Sequence, residues 1–179
     1  MSPADSQPIF ITERLIVRPR TPADEAACLL MDGDPEVVRY VPTPWSDEAG
    51  HRAFLATRTA GPYPLGQGYW TITDRSDAFL GWVLLIPSDA IGPETEIGWR
   101  LPRAAWGKGY ATEAARPVLR HAFETLGLDE VVADVLPGNA ASMGVAAKLG
   151  LRLDQRKDVS PYIRFTQTAA GFRARAATS

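Results

Sequence analysis

Residues 94–126 read ETEIGWRLPRAAWGKGYATEAARPVLRHAFETL. Composition predicts a strand over Glu96–Leu101, stopped by Pro102, and a tight turn over Trp106–Ala111. A helix follows. Ala111, Ala114, Ala115, Val118, Leu119, Ala122, Phe123 and Leu126 step by three and four, which makes one buried face. Gly127 stands where a C-terminal cap belongs. Pro117 lies inside this helix, frees the Glu113 carbonyl and predicts a kink.

The turn decides what the stretch can do. The first N–H groups of a helix lack intrahelical partners and carry the positive end of its dipole. Gly107 and Gly109 let an anion approach the backbone, and Lys108 adds a charge, so a phosphate or pyrophosphate suits the turn. A glycine turn kept only for tight packing would read the same way. Two other phosphate motifs are excluded. No G-x-x-x-x-G-K-[ST] string occurs, and a dinucleotide fingerprint would need glycine where Thr112 stands.

Outward from this stretch, the chain alternates strands and helices. Strands are expected over Ile9–Arg18, Tyr69–Asp74, Ala78–Ile86, Glu130–Leu136, Arg152–Lys157 and Tyr162–Gln167. Thr21-Pro22-Ala23-Asp24 opens a helix to about Met31 with Asp24 at the capping-box site, and Asp34-Pro35 starts a short one. Ser46 is expected to cap a helix over Asp47–Thr59. Asn139 is expected to cap one ending at Gly150. Thr168–Arg175 forms a closing helical turn. Hairpins and crossovers together imply an α/β or α+β fold with a mixed sheet. The expected organisation is a single domain over 9–172, with loose tails at 1–8 and 173–179.

The chain has 179 residues and a net charge of −2, so no global basic field recruits nucleic acid or anionic membrane. No apolar run approaches membrane-spanning length, and MSPADSQP carries no signal pattern, which fits a cytoplasmic location. The single cysteine, Cys28, lies in an apolar run and reads as a buried thiol. Two distant histidines and one cysteine make no metal-ligand cluster. His121, beside the buried stripe, reads as structural.

Trp106-Gly107-Lys108-Gly109-Tyr110-Ala111-Thr112-Glu113-Ala114 resembles the acyl-CoA pyrophosphate loop of GNAT N-acetyltransferases. Asn139-Ala140-Ala141-Ser142, followed by Lys148-Leu149-Gly150-Leu151, resembles the family's next helix. Thr12–Pro19 and Glu96-Ile97-Gly98-Trp99 are similar to strands of the ribosomal-protein-alanine acetyltransferase (RimJ/RimL-like) branch. The resemblance implies a mostly antiparallel seven-stranded sheet with about four flanking helices and a splayed central pair, Thr95–Leu101 and Glu130–Leu136. It implies acetyl-CoA as co-substrate, no metal, and an amine acceptor: a protein N-terminus, an amino acid or peptide, or a small amine. A monomer or homodimer is expected.

The resemblance also implies roles. The pantetheine arm would meet backbone near Trp99 and Leu101, with Asn139 and Ser142 alongside. The pyrophosphate would lie on Trp106, Gly107, Lys108, Gly109, Tyr110, Ala111 and Thr112. Glu96 would act as base through water, with Glu94 a weaker rival. Glu96 could instead only orient the substrate ammonium or be a solvated strand residue. The family's tyrosine position falls on Ala146, so Ser142 is expected to hydrogen-bond the thiolate. Ser142 could instead satisfy a helix-start group. A phosphate-contacting Gln or Arg would stand at Ala104, and Arg103 is one residue early. Arg39, Tyr40, Trp45, Tyr63 and Trp70 could line the acceptor side, while core packing is the other reading of Trp45, Trp70, Trp82 and Trp99. A non-catalytic acyl-CoA-binding module is the alternative function.

Overall fold

The computed structural model describes residues 7–41, 45, 47–88, 92–156 and 159–177. Eight strands make one sheet: β1 (Phe10–Ile11), β2 (Leu15–Pro19), β3 (Gly68–Asp74), β4 (Phe79–Pro87), β5 (Thr95–Arg100), β6 (Glu130–Val135), β7 (Arg152–Leu153) and β8 (Ile163–Thr168). Six helices among the described residues accompany it: α1 (Glu25–Asp32), α2 (Pro35–Val38), α3 (Glu48–Ala60), α4 (Tyr110–Glu124), α5 (Ala140–Leu149) and α6 (Ala169–Ala176). The spatial strand order is β1-β2-β3-β4-β5-β6-β8-β7. Neighbours run antiparallel except β5 and β6, which α4 joins as a parallel crossover.

The eighth strand arises because the expected strand over Ile9–Arg18 is a hairpin. Leu15 N–H donates to the Thr12 hydroxyl at 3.1 Å and Thr12 N–H to the Leu15 carbonyl at 3.0 Å, so the chain turns between Phe10↔Val17 partners. The expected strand at Arg152–Lys157 stops at Leu153 because Asp154 Oδ1 accepts the Arg156 N–H at 2.9 Å, an Asx turn that competes with the ladder. Lys157 and the cap expected at Ser46 lie outside the described residues. Asp47 caps α3 instead, accepting the Gly50 N–H at 2.7 Å. Asp24 accepts the Thr21 N–H at 2.9 Å, as the capping-box reading required. The closing helical turn expected over Thr168–Arg175 is α6, which runs to Ala176.

Each sheet face carries its own core, because successive side chains in a strand point to opposite sides. Trp70, Ile72, Val83, Leu85 and Ile97 face α4, whose stripe of Ala114, Ala115, Val118, Leu119 and Ala122 is fully buried. α4 runs as one helix through Pro117. Tyr69, Trp82, Leu84 and Ile86 face the other way, toward Cys28, Met31 and Leu55 of α1 and α3. Burial pushes the Cys28 thiol up to about 11, so it stays protonated and unreactive.

The β5–β6 pair positions the site. Only Glu96↔Val132 is registered between them. Beyond that pair, Gly98–Leu101 and Ala133–Leu136 both border a cavity of about 990 Å³, so the two strands diverge around it.

Candidate active site

One cavity passes from the acceptor face, through the β5–β6 gap, to the start of α4. At the α4 end, Gly107 (φ 70°) and Gly109 (φ 80°) lie in the left-handed region that side chains disfavour. A Cβ at Gly107 would meet nothing within 4 Å, so the backbone there stands open to a ligand. α2, α3, α5 and α6 each have a side-chain cap, but α4 starts on Gly109, which has none. The first N–H groups of α4 therefore suit an external anion. Trp106, Gly107, Gly109, Tyr110, Ala111 and Thr112 all border the cavity. Lys108 does not line it and is exposed nearby.

This cradle is braced from behind. Glu113 Oε1 accepts from the Thr12 hydroxyl at 2.6 Å and the Arg14 N–H at 2.9 Å, and the Arg14 guanidinium pairs with Oε2 at 2.6 Å. Burial pushes the Glu113 carboxyl up, but these bonds from Thr12 and Arg14 together hold it below its ordinary range. Arg14 also stacks over the Tyr110 ring, 4.6 Å from its centroid. Arg103 is held by Asp34 at 2.6 Å and does not line the cavity, so it does not replace the missing side chain at Ala104.

In the gap, Trp99, Leu101, Asn139 and Ser142 line the walls. The Leu101 carbonyl already accepts the Trp106 indole N–H at 2.7 Å. Trp99 also packs against the α4-side core. Asn139 Oδ1 accepts the Ser142 N–H at 3.2 Å and caps α5. The Ser142 hydroxyl has no hydrogen bond to protein among the described residues.

Glu96 pairs across the ladder with Ile86, and Arg100 with Trp82, so both point to the acceptor face at the mouth of the gap. Glu94 is elsewhere. It joins Arg164 at 3.4 Å, beside the Arg164–Asp134 fork at 2.7 and 2.8 Å, and does not line the cavity. Of the acceptor-side candidates, Tyr40 and Trp45 line the cavity; Arg39, Tyr63 and Trp70 do not. Trp70 is core on the α4 side, with its indole N–H on the Pro8 carbonyl at 2.8 Å. Trp82 is buried and also forms part of the wall. His121 is structural, with Nε2 at 2.9 Å from the Gly66 carbonyl.

Several wall residues escaped the sequence reading. Asp32 is buried between Arg100 Nη1 and His51 Nε2, each at 3.0 Å, while His51 stacks on Trp45 with centroids 3.7 Å apart. Arg20, Arg58 and Tyr69 complete the inner wall. The Glu96-x-Gly98-x-Arg100 alternation could have placed Arg100 beside Glu96. No local signal marks Asp32, which reaches the site through a tertiary contact.

A cleft between splayed strands, with the uncapped start of α4 at one end and the Glu96 carboxylate at the other, is the arrangement that the acetyltransferase resemblance implies. The model of the acetyltransferase (GNAT) domain matches residues 14–152, and the chain belongs to that family. It is 34% identical over 158 residues to FsC-acetyl coenzyme A-N(2)-transacetylase of Aspergillus fumigatus, covering 82% of this chain and 66% of that protein. The chain thus spans about two thirds of that relative's length. It is 31% identical over 145 residues to YkkB of Bacillus subtilis, covering 79% and 84%. A solved acetyltransferase from Agrobacterium tumefaciens superposes with a TM-score of 0.79 at 30% identity, over 90% of this chain and 95% of that one. Spermidine N-acetyltransferase from Vibrio cholerae, solved with CoA and spermine, shares the fold at a TM-score of 0.72 and 14% identity, over 89% and 98%.

Proposed function

We propose that the chain transfers an acetyl group from acetyl-CoA to a primary amine. The observation that carries this is one continuous cavity, bordered at one end by the uncapped start of α4, in the gap by the Ser142 hydroxyl, and at the acceptor mouth by Glu96. Acetyl-CoA supplies an activated acyl carbon and a thiolate leaving group. The N–H groups from Gly107 to Thr112, with Lys108 nearby, hold the pyrophosphate, and Asn139 orients the arm through its remaining amide N–H groups. Glu96 takes a proton from the acceptor ammonium, through water, and leaves the amine lone pair free to attack. As the C–N bond forms and the C–S bond breaks, the Ser142 hydroxyl hydrogen-bonds the departing sulfur. The amine's second proton passes to that sulfur, giving amide and free thiol.

The Thr12–Pro19 and Glu96–Trp99 motifs favour a RimJ/RimL-like relative acting in the cytoplasm, and among the described residues no helix is long and apolar enough to cross a membrane. The test is release of CoA thiol from acetyl-CoA with a panel of amines that includes Ala- and Ser-initiated peptides. Thermal stabilisation by acetyl-CoA but not ATP, with turnover on some amine, is expected. Stabilisation without turnover on any amine would leave a non-catalytic acyl-CoA-binding module.

A further inference from the structure

The acceptor half of the cavity contains an arginine that no carboxylate among the described residues neutralises. Arg20 is only 5% exposed, yet its Nε and Nη2 have no hydrogen-bond partner, and it makes no ion pair among the described residues. Its backbone N–H is fixed on the Tyr69 carbonyl at 2.9 Å, and its guanidinium lies over the Tyr69 ring, 3.8 Å from the centroid. Other arginines drawn into the structure have a carboxylate: Arg18 has Asp24 at 2.7 Å, Arg100 has Asp32 at 3.0 Å, and Arg164 has Asp134 at 2.7 Å. Buried charges are normally paired because desolvation is otherwise uncompensated. Arg58, on the same wall, adds a third buried and unpartnered nitrogen, Nη1.

We propose that this wall recognises a carboxylate carried by the same molecule that presents the amine, with Arg20 as its principal holder and Arg58 in support. The planar guanidinium fork matches a carboxylate in two parallel hydrogen bonds. Leu55, Trp82 and Leu84 line the space around it, so a ligand anion is poorly screened there and strongly held. Charge complementarity gives the orientation. Glu96 attracts the ammonium, Arg20 and Arg58 attract the anion, and all three bear on the Tyr69 phenol that stands among them. A zwitterionic acceptor matches both signs, whereas a polyamine would set a second cation against two guanidinium groups.

This inference rests on the acetyl-transfer reading for the amine end only, and the experiment separates the two. Matched acceptors are compared as acid and amide: an α-amino acid, β-alanine and a dipeptide, each against its carboxamide. In the wild type, kcat/KM is expected to favour acid over amide by about tenfold to a hundredfold for at least one pair, as a charge-assisted bond requires. In Arg20→Gln that ratio falls to near one, mainly through KM for the acid, and Arg20→Lys recovers part of it. Separately, the CoA-bound protein is titrated calorimetrically with 3-phenylpropanoate and 3-phenylpropanamide, neither of which can be acetylated. Tighter binding of the acid, lost in Arg20→Gln, is expected. Should Arg20→Gln not fold, Arg20→Lys and Arg58→Gln carry the comparison. Amines acetylated without acid preference, and equal binding of acid and amide, would overturn the carboxylate site and leave acetyl transfer standing. Acid-selective binding with no amine acetylated would do the reverse.

Discussion

Asn139 Oδ1 accepts the Ser142 backbone N–H at 3.2 Å, so the start of α5 is capped without the serine hydroxyl. The two residues should therefore separate under mutation. Ser142→Ala removes no cap and should change folding stability by less than about 0.5 kcal/mol. If its hydroxyl stabilises the leaving sulfur, kcat should fall about a hundredfold. Asn139→Ala loses the cap, costing about 1 kcal/mol and lowering Tm by about 2–4 °C. Thermal melts alongside steady-state kinetics check both. A Ser142→Ala enzyme with wild-type kcat would remove the serine from the mechanism.

The two carboxylates of β5 differ as sharply. Glu96 faces the cavity mouth, while Glu94 belongs to the Arg164–Asp134 ion-pair cluster. Glu96→Gln should lower kcat about a hundredfold or more at saturating acetyl-CoA, the usual yield of a positioned base. Glu94→Gln should leave kcat within about twofold, since Glu94 lies off the cavity and Asp134 still pairs with Arg164. Equal losses in the two variants would return Glu94 to contention.

The cradle and its helix were legible in sequence because they depend on local geometry. Positive φ at Gly107 and Gly109, the apolar stripe of α4 and the Asn139 cap each act within a few residues. Family likeness alone singled out Glu96, and the structure places it on the cavity wall. The acceptor wall was not legible. Arg20 follows β2, Asp32 is the last residue of α1, and Arg58 lies near the end of α3. Only the packing of α1 and α3 on the β3–β4 face gathers them, and no spacing in the chain encodes that. The split of Ile9–Arg18 into β1 and β2 was hidden for a related reason. The Thr12 turn is fixed partly by Glu113, a hundred and one positions away.

That long-range tie yields a prediction of its own. Glu113 serves the Thr12 hydroxyl, the Arg14 N–H and the Arg14 guanidinium at once. Glu113→Ala leaves these donors to water and lets the hairpin lift from the first turn of α4. A cost of about 2 kcal/mol is expected, with Tm falling by about 4–8 °C. KM for acetyl-CoA should rise severalfold while kcat changes less, since the N–H groups are displaced and the reacting end is not. A fall in kcat at unchanged KM would contradict the bracing role.

Two buried acids under the acceptor wall should weaken the fold at alkaline pH. Burial raises the Cys28 thiol from its ordinary 9.0 to about 11, and burial likewise raises the Tyr69 phenol from 10.0 to about 12, against the opposing pull of Arg20. For both groups the folded pKa lies above the unfolded one. The stability they contribute is complete below pH 9, and it declines as the unfolded chain deprotonates first. Cys28 acts between pH 9 and about 11, and Tyr69 between pH 10 and about 12. Each contributes on the order of 2 kcal/mol to that decline. Urea unfolding midpoints should fall steeply above pH 9. Cys28→Ala should flatten the first part of the curve and Tyr69→Phe the second, whatever either does to stability at neutral pH. If both variants keep the wild-type slope, the alkaline loss comes from other groups, and the protonated thiol and phenol are not what the acceptor-side core depends on.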